Sequence, residues 1–379
     1  MKFLIAGDYC PRSRVRTIIN KYEFATVFQD IKSVVSDSDY SIINFECAIN
    51  SESSHEISKA GPCLSASSAA IEALKWCGFK CVTLANNHFR DFGNDGVSNT
   101  LELLELNDID YVGGGNTIDQ ASEVLYKSIK GIRIAIINAC EEEFSLATVD
   151  SGGSNCLNPV KQYYSIREAK KHSDFVIVIL HGGHEHYQLP SPRMKEIYRF
   201  FVDSGADVVI NHHQHCYSGY EVYNGKPIFY GLGNFCFDDD LKRNTIWNEG
   251  YMVELDFGKK DISFKIFPYK QCDNEPCVHL MDFDDKKVFE SHIKTLNNII
   301  LNDAELKNCY SRFVQLQRRN YRYLFTPWDN KYTIALFNRG LLPFVSSKKK
   351  MLVLYDYLVC PAHRDNLIYL LKEHLFGNE

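Results

Sequence analysis

The sequence has 379 residues, of which 45% are hydrophobic and 24% are charged. This composition is typical of soluble globular proteins, and the length is sufficient for one large domain or two ordinary ones. The formal net charge of −6 at pH 7 excludes nucleic-acid binding that depends on overall positive charge, and no apolar stretch approaches the roughly 20 residues that a membrane span needs.

Short apolar runs rich in valine and isoleucine recur between residues 2 and 270. They read, in order, KFLIAG, YSIINF, KCVTLA, IRIAIIN, DFVIVIL, DVVIN, KPIFYGLG, GYMVELDF and ISFKIFPY. Because their apolar residues are continuous rather than alternating, they predict β-strands covered on both faces. Between them, runs such as AAIEALKWCGF and VSNTLELLELNDI have helical spacing. This alternation predicts a layered α/β domain over residues 1–282.

The pattern changes from residue 283 onward. The runs FESHIKTLNNIILNDAELKNCYSRFVQLQRR and MLVLYDYLVCPAHRDNLIYLLKEHLF look helical and are rich in Lys, Arg, Tyr and Asn. We therefore expect a helical C-terminal region over residues 283–379. We expect it to pack on the α/β domain or to bind a partner in a biosynthetic complex, and to supply no metal ligand.

The cysteines and the N-terminus bear on the cellular compartment. An odd number of cysteines, 13, without a CxxC pair is typical of reduced, buried thiols in a chain of this length. The first apolar run, FLIA, is too short for the core of a signal peptide. We therefore expect a cytoplasmic protein with free thiols and no membrane span.

Polar side chains follow five of the predicted strands at the points where the strands end. They are Asp8; Asn44 and Glu46; Asn86, Asn87, His88 and Asp91; His181 and Glu185; and His212, His213 and His215. Because sites in open α/β sheets form at the carboxyl ends of the strands, we expect these groups to lie close together. Carboxylate and imidazole ligands suit divalent Mn, Fe or Zn, and a dinuclear site needs about this many ligands.

Each of these residues also has a purely structural interpretation. A lone Asp after a strand is usually a turn residue, a lone buried His is usually a hydrogen-bonded core group, and Asn86-Asn87 is compatible with a simple turn. The coincidence at five strand ends favours a metal site. Two interpretations stay open for the loop CPRSRVR, in which Arg12, Arg14 and Arg16 form either an anion clamp near Asp8 or a solvated basic loop.

The same residues form a motif set that resembles the CapA proteins of capsule and poly-γ-glutamate synthesis, which are similar to calcineurin-type metallophosphoesterases. The resemblance extends from residue 1 to about residue 240. The matching motifs are Gly7-Asp8, Asn44-Phe45-Glu46, LANNHFRDFG, YVGGGN, the H-x-G-x-E run from His181 to Glu185, and NHHQHCYSGYEVYNGKPIFYGLGNFCFD. The resemblance implies a layered α-β-β-α metallophosphoesterase-like sandwich followed by the C-terminal helical region.

The resemblance also implies roles for individual residues. The implied ligands of one or two metal ions are Asp8, Glu46, Asn87, His181, His213 and His215. His88 is implied as a catalytic proton donor or charge stabiliser oriented by Asp91. The expected substrate-binding residues are Glu185, Arg12, Arg14, Asn44 and Asn234. Asn211, Gln214 and Gly182 depart from the family pattern, where glycine, proline and tryptophan are usual, and His212 falls on a variable position.

Two classes of function follow from this resemblance. The first is a metal-dependent hydrolase of capsule or surface-polymer biosynthesis, which cleaves a phosphoester or a γ-glutamyl amide bond in an anionic small-molecule or polymer substrate. The second is a non-catalytic binding or assembly protein of such a system, with the same fold. The complete set of implied ligands favours the first class.

Overall fold

The computed structural model describes residues 1–51, 54–59, 61–259, 261–322, 330–343 and 347–359, with short pieces at 363, 367–368, 371 and 374–375. Its strands are β1 (Lys2–Tyr9), β2 (Tyr40–Phe45), β3 (Ala48–Ile49), β4 (Ser65–Ala66), β5 (Cys81–Thr83), β6 (Asp110–Val112), β7 (Gly114–Gly115), β8 (Leu125–Ile129), β9 (Ile132–Cys140), β10 (Gly153–Ser154), β11 (Phe175–His181), β12 (Val208–His212), β13 (Tyr220–Tyr223), β14 (Lys226–Phe229), β15 (Asn234–Cys236), β16 (Glu249–Phe257), β17 (Ile262–Gln271) and β18 (Val278–Leu280).

The helices alternate with these strands through most of the chain. They are α1 (Ser13–Ile19), α2 (Phe24–Ser36), α3 (Ala69–Cys77), α4 (Gly93–Leu106), α5 (Ile118–Ala121), α6 (Pro159–His172), α7 (Pro192–Ser204), α8 (Phe283–Leu301), α9 (Asp303–Arg322), α10 (Lys331–Asn338) and α11 (Lys348–Val359), with a 3₁₀ turn at Ile246–Asn248.

The first large sheet has the strand order β18-β17-β16-β1-β2-β5-β6, and β15 also pairs with β1. Strands β1, β2, β5 and β6 are parallel, whereas β16, β17 and β18 add on as antiparallel neighbours. Of these parallel strands, β1, β2 and β5 are buried along almost their whole length, as expected for strands covered on both faces. Their carboxyl ends therefore lie along one edge of this sheet.

The second large sheet has the order β13-β14-β12-β11-β9-β8. Its four central strands are parallel, and β8 and β13 form antiparallel edges. The two sheets pack face to face, as shown by ring contacts between their strands. Phe175 of β11 lies 5.0 Å from Phe257 of β16, and Phe229 of β14 lies 5.1 Å from Phe264 of β17, measured between ring centroids.

Helices cover the outer faces of both sheets. Leu4 and Ala6 of β1 share a buried cluster with Val27 of α2 and Leu74 of α3, and α6 and α7 contact strands β9, β11 and β12 of the second sheet. This arrangement confirms the predicted layered α-β-β-α architecture. It brings the carboxyl ends of β1, β2 and β5 close to those of β11 and β12.

The chain divides into a compact unit at Met1–Lys307 and a second unit at Asn308–Glu379. Helix α8 belongs to the first unit, where Phe289, Ile293 and Ile300 are buried. Helices α10 and α11 belong to the second unit, in keeping with the predicted helical C-terminal region, whereas a domain division at residue 282 stays a prediction.

In the ranges given above, no helix has the length and apolar character to cross a bilayer. The cysteines described there are free thiols, and the cellular compartment stays a prediction.

Candidate metal centre

Two groups of buried ligand-type side chains meet at the carboxyl ends of the central strands. The first consists of Glu46, His181 and His213, and the second of Asp8, Glu46 and His215. Within each group, one potential ligand atom per residue lies within 4.8 Å of the others. Glu46 belongs to both groups, so its carboxylate lies between the two sets of potential ligand atoms.

Strand geometry explains why these residues converge. Asp8 is the second-to-last residue of β1, Glu46 directly follows β2, and His181 is the last residue of β11. His213 and His215 lie in the loop after β12, where their φ values are +92° and +54°. Positive φ is uncommon for residues other than glycine and is often found at functional sites. The loop thereby directs two imidazoles toward one carboxylate, with Nε2 of His215 at 3.6 Å from Oε1 of Glu46.

Burial and neighbouring charge shift the pKa values of these groups. Burial and the nearby Asp8 carboxylate raise the pKa of Glu46 well above its usual range. Burial opposes ionisation of Asp8 too, but the neighbouring imidazoles of His212, His181 and His215 hold the pKa of Asp8 low. Burial lowers the pKa of His215 to about 4, so that this imidazole is neutral near pH 7, as a metal ligand must be.

Both carboxylate oxygens of Glu46 are buried and have no hydrogen-bond partner among the described residues. An unpaired buried carboxylate is strongly unfavourable unless an opposite charge compensates it. The donor set around it, two carboxylates and three imidazoles, matches the ligands that divalent transition metals take in proteins. The residues therefore fit a metal-ion site.

Asn87, predicted as a ligand, lies beside the first group. Its Oδ1 atom is 3.1 Å from Nε2 of His181, and the residue is 7% exposed. Nδ1 of His213 lies 3.1 Å from the same nitrogen of His181. The structure thus brings together all six residues predicted as ligands.

Asn44 and Asn234, expected to bind substrate, are instead fully buried beside the ligands. Asn44 donates from Nδ2 to Oδ1 of Asp8 at 2.7 Å. Asn234 donates from Nδ2 to the carbonyl of His215 at 3.2 Å, so its Oδ1 accepts from Nδ1 of His215 at 2.9 Å. That bond places the hydrogen on Nδ1 and leaves Nε2 of His215 unprotonated toward Glu46. Both amides thus contact predicted ligands, and their part in binding substrate stays a prediction.

The other predicted residues surround the centre. Nδ1 of His88 lies 2.6 Å from Oδ2 of Asp91, as expected for an imidazole oriented by a carboxylate. Burial lowers the pKa of His88 even though Asp91 opposes this shift. Glu185 is on the exposed side of the centre; burial raises its pKa, but the positive field of His215 and His213 lowers it overall.

The three arginines of the basic loop after β1 lie in two different environments. Arg14 makes a two-point ion pair with Asp238, at 3.0 and 2.9 Å, and also donates to the carbonyls of residues 272–274. Its guanidinium is therefore held within the protein. Arg12 and Arg16 line a cavity of about 340 Å³ together with Ser13, Glu56, Cys63, Leu64, Ser65 and Phe92. The Cζ atom of Arg12 lies 5.7 Å from the ring centroid of Phe237. The Phe237 and His215 ring centroids are 5.2 Å apart.

Three further residues lie beside the centre, and two of them, Lys59 and Glu143, were not predicted from the sequence. Lys59 contacts Asp91, with Nζ at 2.5 Å from Oδ1. His212 is buried with Nδ1 at 3.3 Å from Oδ1 of Asp8, and Glu143 reaches to 3.9 Å from Nε2 of His213. The positions that depart from the family pattern also have partners, since Asn211 donates to the carbonyls of residues 182 and 230.

Comparisons with known proteins identify relatives of this chain. A curated relative, the capsule biosynthesis protein CapA of Bacillus anthracis, is 34% identical over 247 residues, which cover 63% of this chain and 60% of that protein. The PGA biosynthesis protein CapA of Bacillus subtilis (strain 168) is 30% identical over 240 residues, covering 62% of this chain and 63% of that protein. The match therefore spans about three fifths of the length of these relatives.

A solved structure of a phosphatase from Mycoplasma pneumoniae is 15% identical, with a TM-score of 0.46, and covers 72% of this chain and 95% of that one. The sequence profile of the family described as bacterial capsule synthesis protein PGA_cap matches residues 2–239, which include every residue of the two ligand groups. The chain belongs to the bacterial capsule synthesis protein PGA_cap family.

Proposed function

We propose that this protein is a metal-dependent hydrolase that acts in the synthesis of a bacterial capsule or a similar surface polymer. The observation that carries the proposal is the shared position of Glu46 in two ligand groups, together with the lack of a hydrogen-bond partner for its oxygens. The names of the curated relatives, which refer to capsule and PGA biosynthesis, support the biological setting.

The ligand set supports one or two divalent ions, with Mn, Fe and Zn as the candidates. Glu46, His181 and His213 would hold one ion, with Asn87 beside them, and Asp8, Glu46 and His215 would hold the other. Bound divalent metal ions supply Lewis acidity at such a site. Asn44 and Asn234 fix the orientation of Asp8 and His215, because each amide is hydrogen-bonded to one of these ligands.

His88 is the proposed proton-transfer group. Asp91 accepts from its Nδ1 atom, and this contact leaves Nε2 as the nitrogen that can exchange a proton with substrate or water. The ring is close to the centre, because His88 directly follows Asn87, whose Oδ1 atom lies 3.1 Å from Nε2 of His181. Asp91 is fully buried, so it orients the imidazole without contacting substrate.

The cavity lined by Arg12 and Arg16 is suited to an anionic group of the substrate. Arg12 and Arg16 line a cavity of about 340 Å³ together with Leu64, whose backbone N–H donates to Asp91, and guanidinium groups bind phosphate or carboxylate strongly. We propose that this cavity binds a phosphate or carboxylate group of the substrate and that the bond cleaved is a phosphoester or a γ-glutamyl amide. Glu185, at the exposed side, would contact the part of the substrate that extends into solvent. Arg14 is left out of this site because Asp238 holds it.

The proposal is tested by metal analysis combined with substrate turnover. Protein purified without chelator is analysed for Mn, Fe and Zn and assayed against a panel of phosphoesters and γ-glutamyl amides, in parallel with His213→Ala. We expect bound metal and turnover of at least one class, both reduced in the variant. Bound metal without turnover of any class would favour a non-catalytic binding or assembly protein, and protein without metal would contradict the proposal.

A further inference from the structure

Lys59 is a buried cation next to the proposed proton-transfer group. It lies in the loop between β3 and β4, and its side chain is only 3% exposed. Nζ lies 2.5 Å from Oδ1 of Asp91, 3.1 Å from the carbonyl oxygen of Asn87 and 3.2 Å from Nδ1 of His88. Lysine is almost never this buried without a specific partner, so its position calls for an explanation.

The hydrogen-bond donors around Asp91 determine which atoms carry protons. Asp91 accepts from Lys59 through Oδ1 and from the backbone N–H of Leu64 through Oδ2 at 2.6 Å. A carboxylate with these partners acts as an acceptor toward Nδ1 of His88 as well, so Nδ1 carries the hydrogen. Because Nζ of Lys59 and Nδ1 of His88 then both carry hydrogens, their approach to 3.2 Å is not a hydrogen bond.

This network fixes the His88 ring from one side. The proton on Nδ1 points to Asp91, and none of these contacts uses Nε2. The loop is tied to the same turn a second time, because the N–H of Ile57 donates to the carbonyl oxygen of Asp91 at 3.0 Å. The segment that carries Lys59 is thereby anchored on the segment that carries His88.

We infer that Lys59 is a positioning residue that acts through Asp91 to hold His88 with Nδ1 protonated and Nε2 available. This inference rests on the proposed function, in which His88 transfers the proton. The physical reason is charge balance: Asp91 is fully buried between an imidazole and an ammonium group, and the ammonium keeps the carboxylate in place as an acceptor. Without Lys59 the carboxylate would lose one of its donors, and the ring would lose its fixed orientation.

The direct test reads out the tautomer of His88. Full-length protein with ¹⁵N-labelled histidine is loaded with zinc, and long-range ¹H–¹⁵N NMR correlations identify the protonated ring nitrogen. The His88 signals are recognised by their absence in His88→Asn. We expect a single Nδ1–H form in the unmodified protein and a mixed or shifted pattern in Lys59→Met. An unchanged His88 pattern in Lys59→Met would overturn the inference, and this readout does not require that any substrate be turned over.

Steady-state kinetics provide a second, independent test of the inference. Lys59→Met should lower kcat by roughly 10- to 100-fold, as loss of a supporting hydrogen bond typically does, while metal content and KM change little. Lys59→Arg should restore part of the loss. Lys75→Met is the matched control, because Lys75 is 51% exposed and pairs with the surface residue Asp108, and it should leave kcat unchanged.

A double-mutant cycle shows whether Lys59 acts through Asp91. If it does, Lys59→Met combined with Asp91→Asn should have the kcat of Asp91→Asn alone, because the intermediary is already lost. The combined variant also removes both buried charges, so it keeps the test available if Lys59→Met alone fails to fold. A further drop in kcat by the full factor seen for Lys59→Met would overturn the inference.

Discussion

Glu46 is the residue that the two ligand groups share. Its carboxylate is buried, lies 3.6 Å from both His181 and His215, and has no hydrogen-bond donor among the described residues. The same burial that raises its pKa makes a neighbouring cation strongly favourable. A metal ion is the simplest such cation, because burial lowers the pKa of both His181 and His215 and thereby disfavours their charged forms.

Other residues show where reasoning from the sequence reaches its limit. The position after each strand predicts that Asp8, Glu46, His181 and His215 converge, and the structure brings them together. The sequence gives no sign that Arg14 pairs with Asp238, which lies 224 positions away. A contact of that range depends on how two loops meet in space.

The burial of Lys59 beside Asp91 is not predictable from the sequence for a related reason. This lysine occurs in the polar stretch SSHEISKAGPCLSAS, in which a solvated lysine is the ordinary expectation. Its burial results from the way the loop folds over the turn that carries His88 and Asp91. Asn44 and Asn234 were recognised as part of the site, but their placement behind the ligands depends on side-chain directions that motif spacing does not contain.

His88→Asn should separate proton transfer from metal binding. Asn87 and not His88 lies beside the ligand groups, so the variant should keep its metal content while turnover falls by roughly 10² to 10⁴ if the imidazole transfers a proton. The loss should be smaller for substrates whose leaving group needs no proton. Metal analysis and a series of leaving groups give the two measurements, with Lys75→Met as the control. Unchanged turnover would remove His88 from the mechanism.

At the scale of elements, hydrophobic pattern predicted the strands that build the site. The apolar runs KFLIAG, YSIINF, DFVIVIL and DVVIN correspond to β1, β2, β11 and β12, because strands covered on both faces need nearly continuous apolar sequence. The two-residue strands β3, β4, β7 and β10 carry no such pattern. They form where loops happen to run side by side, which only the folded chain determines.

The contact of β1 with the loop before β15 makes glycine necessary at position 7. A Cβ atom there would lie 1.9 Å from the carbonyl oxygen of Gly233, and the neighbouring Asp8 pairs with Asn234 across this contact. We expect Gly7→Ala to lower the free energy of unfolding by about 3 kcal/mol or more and to weaken metal binding, since Asp8 and Asn234 must move apart.

Gly131→Ala is the control for this substitution. Gly131 has a φ of +78° but nothing within 4 Å of its Cβ position, so alanine there should cost only about 1 to 2 kcal/mol from backbone strain and leave metal content intact. Urea unfolding and metal analysis of the two variants make the comparison. A Gly7→Ala protein with normal stability and metal content would contradict the close approach.

At the scale of the whole molecule, the site lies entirely within the first compact unit. The ligand groups and His88 lie between residues 8 and 215, whereas the unit extends to Lys307. A chain that ends at Lys307 should therefore fold and keep its metal. A chain that ends at residue 282 lacks α8, whose Phe289 ring lies 4.5 Å from Tyr217, and should expose apolar surface and lose solubility.

Circular dichroism and metal analysis of the two shortened chains test this division. A folded 1–307 chain without metal would show that the C-terminal region supplies part of the site, against the prediction made from its sequence. The activity of the whole protein stays a proposal, because the matched region covers about 60% of the curated relatives' length.

The most direct test of the account is the metal content of Glu46→Gln. Glutamine keeps the size of the side chain but removes the charge that both ligand groups share. Elemental analysis of the unmodified protein, Glu46→Gln and the surface control Glu168→Gln, which is on an exposed part of α6, gives the number of ions per chain. The account predicts one or two ions in the unmodified protein and the control, and loss of most of them in Glu46→Gln. Full metal content in Glu46→Gln would contradict a metal centre built on this carboxylate.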